Sequence, residues 1–389
     1  MQLILVNLTF AFMNLNQLVV HWPGIIFISL CIVSLIQFFY FLFFFIRLSF
    51  YKEQPKTISQ THPVSVIICA RDEAANLGKN LMGSLVQQYP TTHEIIVVDD
   101  NSFDDSKYFL EALQKEFKQL NVIELKQEAK LITGKKYPLS IGIRSARHEI
   151  VLLTDADCVP ASEHWINNMQ AMYNDTTEIV LGYGAHHKKK GLLNKLIRWE
   201  TFHTALQYFS YALAGIPYMG VGRNLSYKKT IFYRHNGFSA HNNIPSGDDD
   251  LFINMAATKT NTKINIDGAS FTLSEPATTW ARWMKQKSRH YSTSKYYKPL
   301  YKFLLGAYSF SHFVFYPLLI ICLCFFNWQF GLAIFALRLI MQAIVYYPAM
   351  KKLDEKDLFP LFLFFDIWMF FYYLLFAFAL VKKPRPNWN

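Results

Sequence analysis

The first 46 residues of the chain contain no lysine, arginine, aspartate or glutamate, and Arg47 is the first such residue. Within them, the run from Pro23 to Ile46 is long enough to cross a bilayer core of about 30 Å, since a helix rises about 1.5 Å per residue. The run also lacks a basic start and a small-residue cleavage site, so an anchor fits it better than a removable signal peptide. We predict an N-terminal membrane anchor over residues 1–56, with its span at about 23–46.

Charge is also missing, or nearly so, from two later stretches. No charged side chain occurs from Phe303 to Leu337, and Asp366 is the single one from Leu358 to Val381. A C-terminal membrane region over residues 301–389 would leave residues 57–300 as a separate domain. From these lengths we predict three spans, at about 303–326, 328–349 and 358–381.

Cysteine is scarce, and its spacing excludes an obvious zinc site. Three of the cysteines lie in predicted spans, and the others fit a reduced, cytosolic domain. The five cysteines are Cys31, Cys69, Cys158, Cys322 and Cys324.

The net charge of +11 is concentrated beside the predicted spans. The basic residues that follow the first span and precede the second are Arg47, Lys52, Lys56, Lys285, Lys287, Arg289, Lys295, Lys298 and Lys302. At these places anionic lipid is a simpler partner than nucleic acid. We expect an integral protein of a bacterial inner membrane with its domain in the cytosol. The basic tail from Lys382 to Arg385 conflicts with this topology, so either the tail is an exception or a later segment is re-entrant.

Between the membrane parts, short apolar runs alternate with helical patterns. The clearest run, Glu149 to Thr154, is typical of a strand buried on both faces of a parallel sheet. Alternation at this spacing predicts a parallel α/β sheet. The predicted strands are 64–69, 94–98, 121–125, 149–154 and 178–183, and the predicted helices are 76–88, 106–119, 137–147, 163–174 and 192–214.

Carboxylates follow two of the predicted strands. Asp99 and Asp100 follow one, and Asp155 and Asp157 follow another. The carboxyl ends of parallel strands meet at one edge, where open α/β sheets bind ligands, so the two pairs can share a cleft. Two carboxylates at i and i+2 can hold a hard divalent cation that keeps sites for phosphate oxygens. The alternative is a solvated acidic turn.

Six motifs then occur in order along the domain. They are Val64 to Glu73, Glu94 to Ser102, Gly134-Lys135, Asp155-Ala156-Asp157, Gly222-Arg223-Asn224 and Gly247 to Leu251. Together they resemble the inverting family-2 glycosyltransferases with a GT-A fold, over about residues 63–295. The resemblance implies an α/β, Rossmann-like domain with transmembrane helices at both ends. It also implies a nucleotide-sugar donor, usually UDP-linked, and Mg²⁺ or Mn²⁺.

The resemblance to the family implies that the donor binds at the carboxyl ends of the strands. Asp100 would hold the base or ribose, Asp155 the ribose or metal, and Asp157 the metal itself. A diphosphate leaving group needs cationic help, which a metal supplies as a Lewis acid. Lys135 is either a second cation here or a solvated lysine at a helix start. The residues implied for nucleotide-sugar binding are Ala70, Arg71, Glu73, Asp100, Lys135 and Asp155.

The motif from Gly247 to Leu251 resembles the family's acid–Asp element, which carries the catalytic base. Inversion is a single displacement by the acceptor hydroxyl, so one carboxylate must take its proton. The order fits Asp249 as the base and Asp248 as the neighbour that tunes its pKa. Asp250 precedes an apolar run and is expected to cap or begin the following helix. The alternative is a solvated acidic helix start.

Gln286 to His290 resembles the Gln-x-x-Arg-Trp element of membrane-embedded polysaccharide synthases. Gln286 and Arg289 match it, and His290 stands where tryptophan is usual. The arginine would face the diphosphate, and His290 would lie near the acceptor. The departure at His290 and the small number of later spans argue against processive synthesis. An ordinary basic segment before a membrane helix is the alternative.

These features lead to three competing functions. The first is transfer of one sugar from a nucleotide donor to a lipid-linked or membrane-proximal glycan acceptor. The second is a processive synthase that extrudes a polysaccharide, and the third is a transporter or scaffold that only binds nucleotide. The retained base and metal carboxylates argue against the third. A sugar nucleotidyltransferase would need a glycine-rich loop where Ala70 to Glu73 stands.

Two further features concern the membrane. Leu192 to Ala214 is predicted to be an aromatic helix that lies either at the headgroup level or against the domain's own core. Arg338 and Asp366 lie inside predicted spans, where ionisable side chains usually pair or face a polar cavity. We predict that they pair, and we hypothesise that the pair lies beside a lipid acceptor.

Overall fold

Ten strands form two sheets in the middle of the described chain. The structure is a computed structural model that describes residues 22–53, 61–126 and 134–381, so Lys56 and the basic tail from Lys382 lie outside it. The strands are β1 Val64–Ala70, β2 His93–Asp99, β3 Leu120–Glu124, β4 Ile150–Asp155, β5 Cys158–Pro160, β6 Ile179–Leu181, β7 Gly184–His186, β8 Leu225–Lys228, β9 Thr262–Ile264 and β10 Thr272–Ser274.

The larger sheet has seven strands in the order β3-β2-β1-β4-β8-β6-β9. The first four pair in parallel, as the alternation of strands and helices predicted. The five predicted strands all run in one direction, but the sheet is mixed, because β8, which was not predicted, lies antiparallel between β4 and β6. A buried apolar run indicates a strand inside a sheet, but it does not choose the neighbour with which that strand pairs. The smaller sheet has the order β5-β10-β7 and begins just after β4.

Helices flank the strands and form both ends of the described chain. The first is continuous but contains a π-helical segment at Tyr40–Phe45, and a 3₁₀ turn at Lys356–Leu361 leads into the last. The helices are α1 Trp22–Ser49, α2 Ala74–Leu85, α3 Ser106–Glu116, α4 Lys136–Ser145, α5 Trp165–Gln170, α6 Leu192–Leu213, α7 Lys229–Arg234, α8 Asp250–Ala256, α9 Trp280–Tyr291, α10 Pro299–Phe325, α11 Trp328–Lys352 and α12 Phe362–Val381.

Four of the described helical segments are long and apolar enough to cross a membrane. They are α1, α10, α11 and the segment Lys356–Phe376, which includes most of α12. Their bounds agree with the predicted spans to within a few residues. A turn at Asn327 separates α10 from α11, and the Asn327 side chain caps α11 by accepting from the N–H of Gln329 over 2.9 Å. Helices of this length and composition fit a transmembrane bundle.

Arg338 of α11 and Asp366 of α12 form the predicted pair. Nη2 of Arg338 donates to Oδ1 of Asp366 over 3.0 Å, and both side chains are almost completely buried. Neighbouring polar side chains from α1, α10 and α11 also bond to these two residues. Charges in hydrocarbon are costly unless they are paired, so the group satisfies itself inside the bundle. We call it the membrane polar cluster: Gln37, His312, Tyr316, Arg338, Gln342 and Asp366.

The aromatic helix α6 lies between the α/β domain and the membrane helices. The Trp199 ring stacks on Phe365 with centroids 4.9 Å apart, and Tyr346 meets it edge-on at 5.4 Å. At the other end, Tyr211 stacks on Phe44 at 4.4 Å. These side chains belong to one buried cluster that includes residues of both parts. The helix therefore completes a core that the domain shares with the bundle, rather than lying free on a headgroup layer.

The turn between α11 and α12 docks on the α/β domain. Arg198 of α6 donates from Nε to Glu355 over 2.8 Å and from Nη1 to Asp357 over 2.9 Å. The Tyr183 hydroxyl donates to Glu355 over 3.2 Å. The side chains of Arg198 and Glu355 are each 2% exposed. This contact puts the turn on the domain side of the bundle, so α10 and α11 run away from the domain and back.

Candidate active site

Parallel pairing brings the ends of β1, β2 and β4 to one edge of the larger sheet. Cys69 lies opposite Asp155, and Ala70 lies opposite Asp99. The next residue, Asp100, is fully buried, and its N–H donates to the Ala70 carbonyl over 2.8 Å. The two predicted acidic pairs therefore share one edge, at the place where α/β sheets bind ligands.

The loop after β1 brings two further predicted residues to this edge. Asp72 adopts φ 55°, and its N–H donates to Ser102 Oγ in the loop after β2 over 2.9 Å. Arg71 and Glu73 on either side of it are half-buried. Burial raises the pKa of Glu73, and the charge of Asp157 adds to that shift. The buried Nε of Arg71 has no hydrogen-bond partner among the described residues.

Asp155, Asp157 and Cys158 form the group most suited to a metal in the described part of the chain. Their ligand atoms all lie within 4.8 Å of one another. Burial raises the pKa of Asp157, and the neighbouring Asp155 adds to it. Burial also acts to raise the pKa of Asp155, but the Lys135 ammonium paired with it outweighs burial, and the pKa is lowered.

These donors fit a hard divalent cation. The two carboxylates offer the oxygen ligands that Mg²⁺ and Mn²⁺ prefer, and both are half-buried, so phosphate oxygens can complete the coordination. Burial and then repulsion from Asp155 raise the pKa of Asp157, and a bound cation would relieve that repulsion. Asp155 and Asp157 are therefore the residues that would hold the metal.

Arg223 is a functional candidate to which the sequence motif gave no role. Its Nη1 donates to Ser274 Oγ over 2.6 Å and lies 3.2 Å from Nε2 of His186. Burial and the Arg223 charge lower the pKa of His186, so its ring is neutral and can accept. The guanidinium also acts to lower the pKa of both Asp155 and Asp157. It therefore adds positive charge beside the metal carboxylates.

Asp249 is held by two backbone N–H groups. Gly222 donates to its Oδ2 over 2.8 Å, and Asp250 donates to its Oδ1 over 2.7 Å. Burial raises the pKa of Asp249 to about 7, and the charges of Asp248 and Asp250 add to the shift. A carboxylate that titrates near neutral pH is matched to the task of accepting a proton from a hydroxyl.

Asp248 connects this motif with the metal carboxylates. Burial acts to lower the pKa of Lys135, but Asp155 and then Asp248 outweigh it, and the pKa is raised. Lys135 therefore lies between the metal carboxylates and the motif that carries Asp249. This location favours a working lysine over a solvated one.

The expectation that Asp250 caps or begins the helix is confirmed in its second form. Asp250 is the first residue of α8, and the side chain that caps the helix is that of Asp249. Asp250 is buried and accepts from the hydroxyl of Tyr297 over 2.7 Å and from Thr293 Oγ1 over 2.5 Å. Its carboxylate thus ties α8 to the segment that enters the membrane at α10, a contact that local sequence patterns do not reveal.

Helix α9 carries the predicted Gln286 to His290 element along α12. Trp283 is completely buried against α12. Arg289 is half-buried, and its charge is among those that lower the pKa of Asp155 against the effect of burial. Gln286 and His290 are exposed. Of this element, Arg289 is thus the residue that the structure brings to the metal carboxylates.

Residues 65–238 match the family model for Glycosyl transferase family 2. The beta-monoglucosyldiacylglycerol synthases of Trichormus variabilis and of a Nostoc species are each 32% identical to the chain over 101 residues. The matched stretch covers 26% of this chain and 21% of each relative. The chain thus matches about a fifth of the length of these curated relatives.

The mannosyltransferase PcManGT of Pyrobaculum calidifontis, solved in complex with GDP-Man and Mn²⁺, has a similar structure. Its TM-score is 0.56 at 18% identity, over 92% of this chain and 99% of that chain. At this identity the likeness shows the fold, which is GT-A with a mixed sheet. The family match covers β1 to β8 and includes the metal carboxylates. The stretch 65–238 is therefore similar to glycosyl transferase family 2, and the α/β domain of the chain has the GT-A fold.

Proposed function

We propose that the chain transfers one sugar, with inversion, from a nucleotide-diphosphate donor to a lipid acceptor at the membrane. The observation that carries this proposal is the electrostatic arrangement at the sheet edge. Asp249, with its pKa raised by burial to about 7, belongs to a motif that Lys135 links to the carboxylates of Asp155 and Asp157. A base and a cation site joined in this way suit a displacement with a diphosphate leaving group.

In the proposed reaction, the acceptor hydroxyl oxygen forms a bond to the anomeric carbon while the bond from that carbon to the diphosphate breaks. Asp249 takes the hydroxyl proton. Negative charge then develops on the diphosphate, and Lys135, Arg223 and Arg289 offer positive charge beside it. A divalent cation held by Asp155 and Asp157 would supply Lewis-acid help to the same group.

A lipid acceptor is supported by the architecture and by the relatives. The domain shares a buried core with the membrane helices, so its active site stays close to the bilayer. The curated relatives are named as synthases of a glucosylated diacylglycerol. We therefore propose a lipid with a free or glycosylated hydroxyl headgroup as the acceptor.

Transfer of one sugar is favoured over extrusion of a polymer. A polysaccharide needs an open passage between the helices. In the part of the chain that the structure describes, the bundle interior holds buried and mutually paired Gln37, Arg338 and Asp366. A packed and paired interior of this kind supports transfer of a single sugar.

A cytosolic location for the domain is supported by the basic residues at the described helix ends. The turn between α10 and α11, on the far side of the bundle, carries no charge. The positive-inside tendency therefore favours the domain side as the cytosolic one. The basic residues on that side include Arg47, Lys298, Lys302, Lys351 and Lys352.

The test is a donor screen with the full-length chain in nanodiscs. UDP- and GDP-sugars are offered with diacylglycerol, and released nucleotide and new glycolipid are measured together. One donor should give equal amounts of both, the product should have the inverted anomeric configuration by NMR, and Asp249→Asn should lower the rate by about 10²- to 10⁴-fold. A ladder of long glycans would favour the synthase instead, and release of nucleotide without any glycosylated product would refute transfer.

A further inference from the structure

The residues that start α4 contact two different parts of the active site. Lys135 pairs with Asp155 on the metal side. The next residue, Lys136, is completely buried and points to the loop before α8. Its Nζ donates to the carbonyl oxygen of His241 over 2.6 Å and to that of Ile244 over 2.9 Å. Adjacent lysines thus attach the metal carboxylate and the base-carrying loop to one helix.

The same loop packs tightly against Gly134. Gly134 has φ +77°, a conformation that favours glycine, and a Cβ built on it would lie 2.1 Å from the carbonyl oxygen of Pro245. Pro245 follows directly after Ile244, which Lys136 holds. The loop therefore rests on the start of α4 at two successive places, a short distance along the chain before Asp249.

Lys136 also contributes charge. Burial lowers the pKa of Lys136 to about 8, and Asp248, Asp250 and Asp249 oppose that shift in this order. The ammonium form therefore prevails at pH 7. Its neighbours among the carboxylates are the three aspartates of the base motif.

We propose that Lys136 is a positioning residue for sugar transfer: it fixes the loop so that Asp249 meets the acceptor hydroxyl, and its ammonium favours the ionised form of that base. This role rests on the proposed function of Asp249. Lys136 is buried under the loop and acts through the loop rather than by touching substrate.

The charged and titratable groups that face Asp249 set the direction of the expected pH effect. Asp248 and Asp250 belong to its own segment, Lys136 comes from α4, and Tyr297 comes from the segment before α10. Lys136 is the cation in this set, and Lys135 faces Asp248 from the same helix start. Without Lys136, the charges of Asp248 and Asp250 are compensated less, so the carboxyl of Asp249 should hold its proton to higher pH.

The test compares Lys136→Met with Lys229→Met in full-length protein. Lys229 is a matched control, because its Nζ donates to the carbonyl of Ala146, just after the other end of α4. Lys136→Met should lower kcat by about 10- to 100-fold. The acid limb of its pH–rate profile should move to higher pH, while affinity for the nucleoside diphosphate and Mn²⁺ stays unchanged. Lys136→Arg should restore the limb, and Lys229→Met should keep the wild-type profile.

Wild-type kcat and an unmoved acid limb in Lys136→Met would overturn the proposal, as would an equal loss of kcat in Lys229→Met. If Lys136→Met does not fold, Lys136→Gln replaces it, since Gln keeps N–H donors but carries no charge. A folded Lys136→Gln with a wild-type limb also refutes the role. Failure of the wild type to transfer, or full activity of Asp249→Asn, would instead refute the proposed function on which this role depends.

Discussion

Three aspartates of the active site share one chemistry but differ in their surroundings. Burial acts to raise the pKa of all three. Lys135 reverses that effect at Asp155, whereas the charge of Asp155 adds to it at Asp157. Burial, with the charges of Asp248 and Asp250, raises the pKa of Asp249 to about 7, although the Lys136 ammonium lies nearby. The surroundings thus separate the two carboxylates proposed to bind a metal from the one proposed as the base.

The pKa of Asp249 predicts the pH dependence of transfer. A protonated carboxyl cannot accept the hydroxyl proton, so kcat/KM should fall as the pH drops through about 7. Initial rates from pH 5.5 to 9 with a fixed metal concentration would measure this limb. A flat profile across pH 7 would contradict the assignment of Asp249 as the base.

Activity should fall as the pH drops, whereas the stability that Asp249 contributes should fall as the pH rises. Its pKa in the folded protein is raised from an ordinary value of 3.8, so the stability it contributes is fully present below about pH 4 and is lost as the pH rises through 7. Asp249→Asn cannot ionise and escapes this loss. The Tm of the variant minus that of the wild type should therefore increase from pH 4 to pH 8 in thermal melts. A constant difference would count against an ionised, buried Asp249.

Asp157→Ala should abolish transfer without unfolding the protein. Asp157 is half-buried and repelled by Asp155, so its removal costs a metal ligand rather than packing. In the wild type, Mn²⁺ with a nucleoside diphosphate should raise Tm, and in the variant that rise should disappear. Asp175→Ala, at an exposed loop position, is the control. Full wild-type activity in excess chelator would show that no metal is needed.

At the scale of single residues, the sequence predicted which site residues lie directly after strands. Asp155 and Asp249 belong to sequence motifs, and their proposed roles were predicted from their positions in those motifs. The contacts of Lys136, Arg223 and Thr293 were not predicted, because their partners lie far along the chain and only the folded structure brings them together. A local pattern contains no information on such contacts.

At the scale of elements, α6 is the helix on which both halves depend. One face packs on the sheet side, through Tyr208, whose hydroxyl donates to the Gly182 carbonyl over 2.8 Å. Another face meets the membrane helices through Trp199. The position of this helix was left open by its sequence, because aromatic residues suit a bilayer surface and a protein core equally well.

Removal of Arg198 should loosen the junction between α6 and the α11–α12 turn. Arg198→Met leaves Glu355 buried without its counter-charge, which typically costs about 3 to 5 kcal/mol. Tm in detergent should fall, while activity per folded molecule stays close to that of the wild type. The double variant Arg198→Met/Glu355→Gln should regain part of the loss, because the uncompensated charge is gone. Melting of Arg198→Met at the wild-type temperature would mean that the turn is not held by this pair.

At the scale of the whole molecule, the order of elements followed from the sequence but the packing between halves did not. Charge-free runs gave the four membrane segments, and alternation gave the parallel part of the sheet. The contacts between the halves include the aromatic side chains on α6, Arg198 and Trp283, none of which was predicted to make them. The sequence identifies which segments are apolar, but only the folded structure shows the neighbour against which each segment is buried.

The membrane polar cluster should hold the bundle together. Arg338→Leu and Asp366→Leu each leave one charge buried in hydrocarbon, so each should lower the temperature at which the protein loses monodispersity in detergent. The double Leu variant should be less harmful than either single one, since it leaves no orphaned charge. Leu337→Ala, at a half-exposed neighbouring position, should behave like the wild type. If both single variants stay monodisperse to the wild-type temperature, the pair does not stabilise the protein.

The core shared through α6 also bears on how a ribosome produces this protein. Phe202 and Trp199 leave the exit tunnel well before Tyr346 and Phe365, which cover them in the finished molecule. During that interval α1 already covers the Tyr211 end of α6, but the apolar face that carries Trp199 lacks its partners from α11 and α12. That face should then contact the bilayer or a chaperone. In a chain that ends at residue 298, the face of α6 that carries Trp199 would stay exposed. Expression of a fragment that lacks α10 to α12 should therefore yield aggregated protein.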